Sequence, residues 1–462
     1  MGYFALGGQA GPVEIEAYIQ GLMPLPPLQC DMVAQAVNER LDELVGGARV
    51  PYVRTARAPQ PRTGALAALV ELLDGSRLAT PEALPSLAAS AAAAVGVQVA
   101  IYLVDYGQRW LEPLPPSGAA PGEPLAVEGT AAGQAYTSGE VVVEARGSGD
   151  IRWWMSLRDG VQRLGVLDVT DPVSANAAVQ EHVRWLSALL GGLLVSTATR
   201  GDGLAGLRPP PARTPAAELI SELLPPLSCA TDSVQIAALL DPGDDGGGDA
   251  LDFTVSESGL SFAVFDAAGR TPANDLITVA ALAAYRQARR AGRDLRDQAR
   301  AIDDSVSSRG GGAATVSGML SELDLTTGRL SYVAAGDPYP VLLRDDKVRK
   351  TLPGQRGPLG RGGADVPPGE EILQPRDWLV GPTDGVLDGG PPATEDWFVS
   401  LLEREVTDAH APPETVRRLL RVAHALRQGA RADDATIVTV RWTGPPDVPT
   451  SGPASVGQPP KV

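Results

Sequence analysis

The chain has 462 residues, which at roughly 100–200 residues per domain allows two or three domains. Hydrophobic residues make up 44 % of it, so there is material for real cores, while the formal net charge is −17. That charge argues against nucleic-acid binding, which needs clustered Lys and Arg, and against docking on an anionic membrane.

The N-terminus, MGYFALGGQAGPVEIEAYIQGL, has no basic segment ahead of an apolar run. No stretch reaches ~18 uninterrupted apolar residues. A cytoplasmic protein is therefore expected. Cys30 and Cys229 stand far apart with no CxxC pair, so neither a zinc site nor a disulfide framework is expected. His182, His410 and His424 show no ligand spacing and fall in polar, helix-like stretches, which predicts surface placement.

Residues 1–50 form a short N-terminal helical segment, with Val33, Val37, Leu41 and Leu44 at helical spacing over 31–46. Residues 51–63, rich in Pro and Arg, read as a linker. Residues 64–200 open with two helical patterns, followed by strand-like runs at 97–104, 140–145, 151–157 and 163–169. A helix over 176–194 closes the segment. Helices bracketing an antiparallel sheet make an α+β domain. Trp153 and Trp154 are adjacent in a strand, so they face opposite sides of the sheet.

Residues 201–213 form a second linker, and 214–443 alternate again. Strand-like runs lie at 234–240, 250–255, 260–265, 314–324, 329–334, 340–344, 378–382 and 435–442. Helical patterns lie at 275–291, 294–305, 395–406 and 413–428. The order suggests two sheets with helices outside. Residues 444–462 lack the apolar content for a core and read as a disordered tail.

Four aspartates sit at strand ends or in the turns beside them. Asp249 follows Gly246-Gly247-Gly248, and Asp266 ends LSFAVF. Asp384 lies in GPTDGV, and Asp433 opens DDATIVTV. Asp244 and Asp245 lie close enough to Asp249 to replace it under a register error. Strands fix the direction of the chain, so short carboxylates at their ends can converge on one edge. Hard divalent cations take such oxygen ligands, and a cluster of carboxylates far apart in sequence is what a two-metal hydrolytic site needs.

Residues 64–200 resemble a GAF domain through VAIYLVDYGQRWLEPL (99–114), GTAAGQAYTSGEVVV (129–143) and RLGVLDV (163–169). The later segment resembles the PPM family of metal-dependent serine/threonine protein phosphatases, in its bacterial SpoIIE-like branch. It does so through the ordered set GGD, strand-D-x-x-G, TDG and DDAT, with ELDLTTGRLSYVAAGDPYPVLL (322–343) and Pro358-Leu359-Gly360. The resemblance implies an α+β multidomain protein, in which a GAF-like antiparallel sheet with helices precedes an α-β-β-α sandwich phosphatase domain. It implies two Mn²⁺ or Mg²⁺ ions held by Asp249, Asp266, the Ala267 carbonyl, Asp384 and Asp433. It also implies phosphate contact by Arg270, and Gly385 as a point of close backbone approach.

The implied activity is hydrolysis of a phosphoprotein by a metal-activated water, with no catalytic residue beyond the metal ligands. The implied partner is a phosphorylated anti-sigma-factor antagonist, and the GAF-like domain would be the regulator. The pattern departs from the family at Arg270, Thr271 and Asp337. The alternative is a catalytically impaired relative that senses a ligand and binds a partner. A homodimer through 176–198 and 214–224, with Val179, Val183, Leu186, Leu189 and Leu190 as its stripe, stands beside the reading that this stripe covers its own sheet.

Overall fold

A computed structural model of the protein describes residues 2–44, 50, 64–120, 122–145, 151–171, 177–204, 215–241, 243, 248–269, 272–310, 314–336, 339–354, 357–363, 365–387, 396–408, 410–426 and 433–445. The linker 51–63, most of the tail, and Asp244, Asp245, Arg270, Thr271 and Asp337 lie outside the described residues.

Three helices open the chain, α1 (Gly2–Ala5), α2 (Pro12–Ile19) and α3 (Pro27–Leu44). Sequence periodicity showed only one, starting at 31. The third begins at Pro27, where the missing N–H of proline costs nothing in a first helical turn. Tyr3, Ala10 and Val33 form their small shared core.

The next unit runs α4 (Ala65–Ser76), α5 (Leu84–Ala93), β1 (Gln98–Val104), β2 (Trp110–Leu114), β3 (Leu125–Ala126), α6 (Ala131–Ser138), β4 (Val142–Ala145), β5 (Ile151–Asp159), β6 (Gln162–Asp171) and α7 (Ala177–Ala198). Its six strands lie in the order β3-β2-β1-β6-β5-β4, each paired antiparallel. Alternation along β5 sends Trp153 into a core with α4, α5 and α7, and Trp154 into a core with α6. Both are 2 % exposed. Val183, Leu186 and Leu190 of α7 are fully buried in the first of these cores, with Val179 and Leu189 packed against it. The stripe therefore covers its own sheet, and the dimer seam loses that argument. His182 corrects the expectation of surface placement. It is buried between α7 and α5, with Nε2 3.3 Å from the Ala91 carbonyl. It flanks Val183 on the face that packs inward, a placement its polarity alone did not show.

The C-terminal unit runs α8 (Pro215–Leu223), β7 (Ser228–Ala230), β8 (Val234–Asp241), β9 (Asp249–Val255), β10 (Gly259–Ala267), α9 (Pro272–Arg290), α10 (Leu295–Gly310), β11 (Val316–Asp324), β12 (Arg329–Ala335), β13 (Val341–Arg344), β14 (Lys347–Thr351), β15 (Gly369–Ile372), β16 (Trp378–Pro382), α11 (Asp384–Leu387), α12 (Asp396–Thr407), α13 (Pro412–Leu426) and β17 (Ala435–Trp442). One sheet has the order β15-β12-β11-β10-β9 and the other β14-β13-β16-β17-β8-β7. Both contribute to one core, through Phe262, Met319 and Tyr332 from the first and Ile236, Leu379 and Val440 from the second. The outer face of the first sheet packs on α9 and α10 around Phe265, Tyr285 and Ile302. The outer face of the second packs on α12 and α13 around Leu239, Leu402 and Leu419. The chain is thus a mixed helix–sheet protein. No helix among the described residues is long and apolar enough to cross a membrane.

Candidate metal centre

Two of the four aspartates meet through strand register. In the β9–β10 pair, Asp249 stands directly opposite Asp266. Partners across antiparallel strands are close neighbours on one face, so these two carboxylates share a site at the end of the first sheet. The residue after Asp266, Ala267, ends β10, and its backbone lies against Gly248. Its N–H donates to the Gly248 carbonyl at 3.2 Å, and a Cβ built on Gly248 would come within 2.9 Å of the Ala267 oxygen. Glycine at 248 is what lets this carbonyl sit where the resemblance places a ligand. The Thr278 hydroxyl of α9 donates to the Gly248 carbonyl and fixes the same turn.

The second sheet delivers the other two. Strand β16 ends at Pro382 and pairs with Ile437 of β17. Thr383 continues the ladder, with its N–H 2.9 Å from the Thr436 carbonyl. Asp384 then opens the short helix α11 and is exposed. Asp433 lies two residues ahead of β17 and is partly buried. The electrostatic surroundings of Asp266 include side chains from this second sheet. Burial first, then Asp384, which is also hydrogen-bonded to it, and the charges of Asp433 and Asp434 together push the Asp266 carboxyl up to about 8. The Asp249 carboxyl is held well above the ordinary range by complete burial and then by the charges of Asp266 and Asp434.

Thr383 ties the two sheets together at this edge. Its hydroxyl donates to Asp249 Oδ2 at 2.8 Å and accepts from the Thr436 N–H at 2.9 Å. Asp434 is the residue that sequence reasoning passed over. It is 3 % exposed, accepts from the Gly243 N–H at 2.6 Å and accepts from the Asp249 N–H at 3.4 Å. Burial raises its carboxyl to about 6, against the pull of those two N–H groups. Asp275, buried in the first turn of α9, adds a further negative neighbour to it. The doubled aspartate in DDAT was the only available signal, and it does not say which of the two turns inward.

Carboxylates packed this closely oppose one another's ionisation. A divalent cation reverses that balance, and a donor set made of oxygens alone suits Mg²⁺ or Mn²⁺. The residues present therefore fit the implied metals. A second acidic group does not. Ligand atoms of Glu405, Asp408 and His410 lie within 4.8 Å of one another. However, Glu405 is already ion-paired with Arg404 at 3.0 Å and Arg418 at 2.9 Å, and Arg418 also reaches Asp408 at 3.6 Å. Guanidinium groups fill the role a cation would take there.

Comparison with known proteins bears on this edge directly. Residues 256–443 match the family model for stage II sporulation protein E (SpoIIE). The matched stretch includes Asp266, Asp384 and Asp433, while Asp249 lies just ahead of it. Similar solved structures include the RsbU and RsbW domains of Rv1364c from Mycobacterium tuberculosis, at 26 % identity and a TM-score of 0.41. The match covers 46 % of this chain and 62 % of that one. Another is the PP2C phosphatase domain with a regulatory fragment of SpoIIE from Bacillus subtilis, at 21 % identity, TM-score 0.39, and 46 % and 63 % coverage. A third is the SiaA-PP2C domain of Pseudomonas aeruginosa, at 25 % identity, TM-score 0.39, and 45 % and 85 % coverage. The chain spans less than two thirds of the length of the first two. No curated protein matches it.

Proposed function

We propose that the protein is a metal-dependent protein serine/threonine phosphatase, with Asp249, Asp266, the Ala267 carbonyl, Asp384 and Asp433 as the ligands of two Mn²⁺ or Mg²⁺ ions. The observation that carries this reading is the placement of Asp249 opposite Asp266 at one sheet end, coupled to Asp384 and Asp433 from the other sheet. The match of residues 256–443 to the SpoIIE model supports it. Ions held by these residues would lower the pKa of a water so that hydroxide is available as the nucleophile toward phosphorus, and would supply positive charge to offset the phosphoryl oxygens.

The chain's own residues supply position. Thr383 orients Asp249, Asp434 holds the backbone N–H groups of Gly243 and Asp249, and Gly248 leaves room for the Ala267 carbonyl. The layers of the C-terminal unit support the α-β-β-α sandwich reading, and the antiparallel order β3-β2-β1-β6-β5-β4 supports a GAF-like regulatory domain. In this reading the substrate is a phosphoprotein, and an anti-sigma-factor antagonist is the proposed identity.

The test uses the full chain with Mn²⁺ and a generic phosphomonoester, beside an Asp266→Asn, Asp384→Asn double variant. Turnover confined to the unsubstituted chain is expected. Equal rates for both proteins would refute the enzyme, and Mn²⁺ binding without turnover would leave a sensor that recruits a partner.

A further inference from the structure

Two buried charges cross between the N-terminal sheet unit and helix α13, in opposite senses. Arg163 of β6 donates from Nη1 to Glu414 Oε2 at 2.7 Å and from Nη2 to the Pro413 carbonyl at 2.8 Å. One turn along α13, Arg417 lies 2.9 Å from Glu128 Oε1 of the N-terminal unit and also grips Glu414, at 2.9 and 2.7 Å. The side chains of Arg163, Glu414 and Arg417 are only 5 %, 6 % and 5 % exposed. Arg163 is held from its own side as well. Its guanidinium lies 4.7 Å over the ring of Tyr136, whose hydroxyl donates to Gln108. Exposed ion pairs are worth little, and Glu128 is 55 % exposed, but the buried run of Arg163, Glu414 and Arg417 holds its members in one arrangement.

The opposite face of α13 rests on the parts that carry the carboxylates. Val416, Leu419, Leu420 and Ala423 share a core with Ala435 and Ile437 of β17, with Leu239 of β8, and with Val386 of α11. Ala435 is two residues past Asp433, and Val386 is two past Asp384. Strand β8 runs on toward Gly243, whose N–H is held by Asp434. Helix α13 therefore touches the N-terminal unit on one side and backs Asp384, Asp433 and Asp434 on the other. Packed cores shift as bodies and do not deform continuously, so a displacement of this helix reaches those carboxylates.

We propose that the N-terminal unit sets the cation affinity of the carboxylate site through α13, with Arg163, Glu414, Arg417 and Glu128 as the coupling ladder. The proposal rests on the metal reading of the site. It makes Arg163 a positioning residue that acts from another domain. Coupling of this kind is reciprocal, so cation binding also tightens the seam.

The experiment compares the full chain with Arg163→Met, Arg163→Lys and Glu128→Gln. In Arg163→Met, Glu414 keeps Arg417 as its partner, so no buried charge is left alone. Mn²⁺ affinity is measured by calorimetry, and amide hydrogen exchange is followed over 378–387 and 433–442. Arg163→Met is expected to weaken Mn²⁺ binding at least about fivefold, the lower end of ordinary coupling between sites, and to speed exchange in both segments. Arg163→Lys keeps the charge and restores most of the affinity, whereas Glu128→Gln gives a smaller loss. Unchanged affinity and exchange in a folded Arg163→Met variant would overturn the proposal. If Arg163→Met fails to fold, Glu128→Gln decides on the same two readouts. If the unsubstituted chain binds no Mn²⁺, the metal reading has failed on its own, and hydrogen exchange still decides the coupling.

Discussion

Replacing Thr383 with valine isolates the bond that joins the two sheets at the carboxylate edge. The side chains are close in shape and the site is 3 % exposed, so the change is chemical and not steric. Two hydrogen bonds disappear. The hydroxyl no longer donates to Asp249 Oδ2 at 2.8 Å, and the Thr436 N–H loses its acceptor at 2.9 Å. A buried N–H left without a partner costs about 1–3 kcal/mol, and a lost bond to a neutral carboxyl about 1 kcal/mol. The sum is about 2–4 kcal/mol. In a domain of this size that lowers the melting temperature by about 5–10 °C.

The metal adds a second effect. Without a cation, burial and the acidic neighbours of Asp249 hold its carboxyl well above the ordinary range and so disfavour its charged form, and a bound cation favours that form. A hydrogen bond to a charged acceptor is worth about 1 kcal/mol more than one to a neutral acceptor, so Mn²⁺ binding weakens about fivefold. Melting curves with and without Mn²⁺ read both effects, and Thr383→Ser should recover both. A valine variant that melts within about 1 °C of the parent and gains the same stabilisation from Mn²⁺ would refute the reasoning.

Asp266→Asn removes a carboxyl that its surroundings push up to about 8. It is expected to raise the melting temperature of the metal-free chain near pH 8 and to abolish the rise that Mn²⁺ gives the parent; a lower metal-free melting temperature would count against crowded carboxylates. Gly248→Ala places a methyl 2.9 Å from the Ala267 oxygen, costs about 1–3 kcal/mol as overpacking, and lowers Mn²⁺ affinity in the same melting assay. At Glu414, burial pushes the carboxyl up, but Arg417 and Arg163 outweigh it and hold the group below its ordinary value of 4.5. A depressed carboxyl contributes stability that is present above 4.5 and lost as pH falls through its folded value. Amide protection along α13 should therefore stay level from about pH 7 down to about 4.5 and fall as the pH drops further toward the folded value of Glu414, and a decline confined to neutral pH would contradict the ladder.

The strands that carry the site were legible because they are central. LSFAVF in β10 and ATIVTV in β17 are mostly apolar, broken only by Ser261, Thr436 and Thr439, since each is flanked by strands on both sides and covered on both faces. Their ends therefore stood out, and with them Asp266 and Asp433. The edge strands β14 and β15 gave no such signal. Their sequences, KVRKT and GEEI, are mostly charged and largely exposed, as suits strands with one unpaired side. The role of Asp434 was hidden for a different reason. Which member of an Asp-Asp pair turns inward depends on where pairing begins, and Ala435 opposite Asp241 is a fact of tertiary register. The α7 stripe shows the same limit, since an apolar face predicts burial without naming what buries it.

Neither sheet of the C-terminal unit holds the candidate centre alone. The first brings Asp249 and Asp266 to its edge by register, and the second brings Asp384 and Asp433 by the ends of β16 and β17. The apolar core between the sheets fixes their separation but stops short of this edge, where buried carboxylates take its place. There the sheets are joined by polar links, Thr383 to Asp249 and Asp434 to the Asp249 N–H, and by mutual repulsion among acids. A cation bound at such an edge turns the repulsion into attraction between the two sheets. Its binding energy is then stabilisation of the sheet packing itself. On the coupling proposed above, the helices that back each sheet change cation affinity without touching a ligand, by altering how closely the two edges approach.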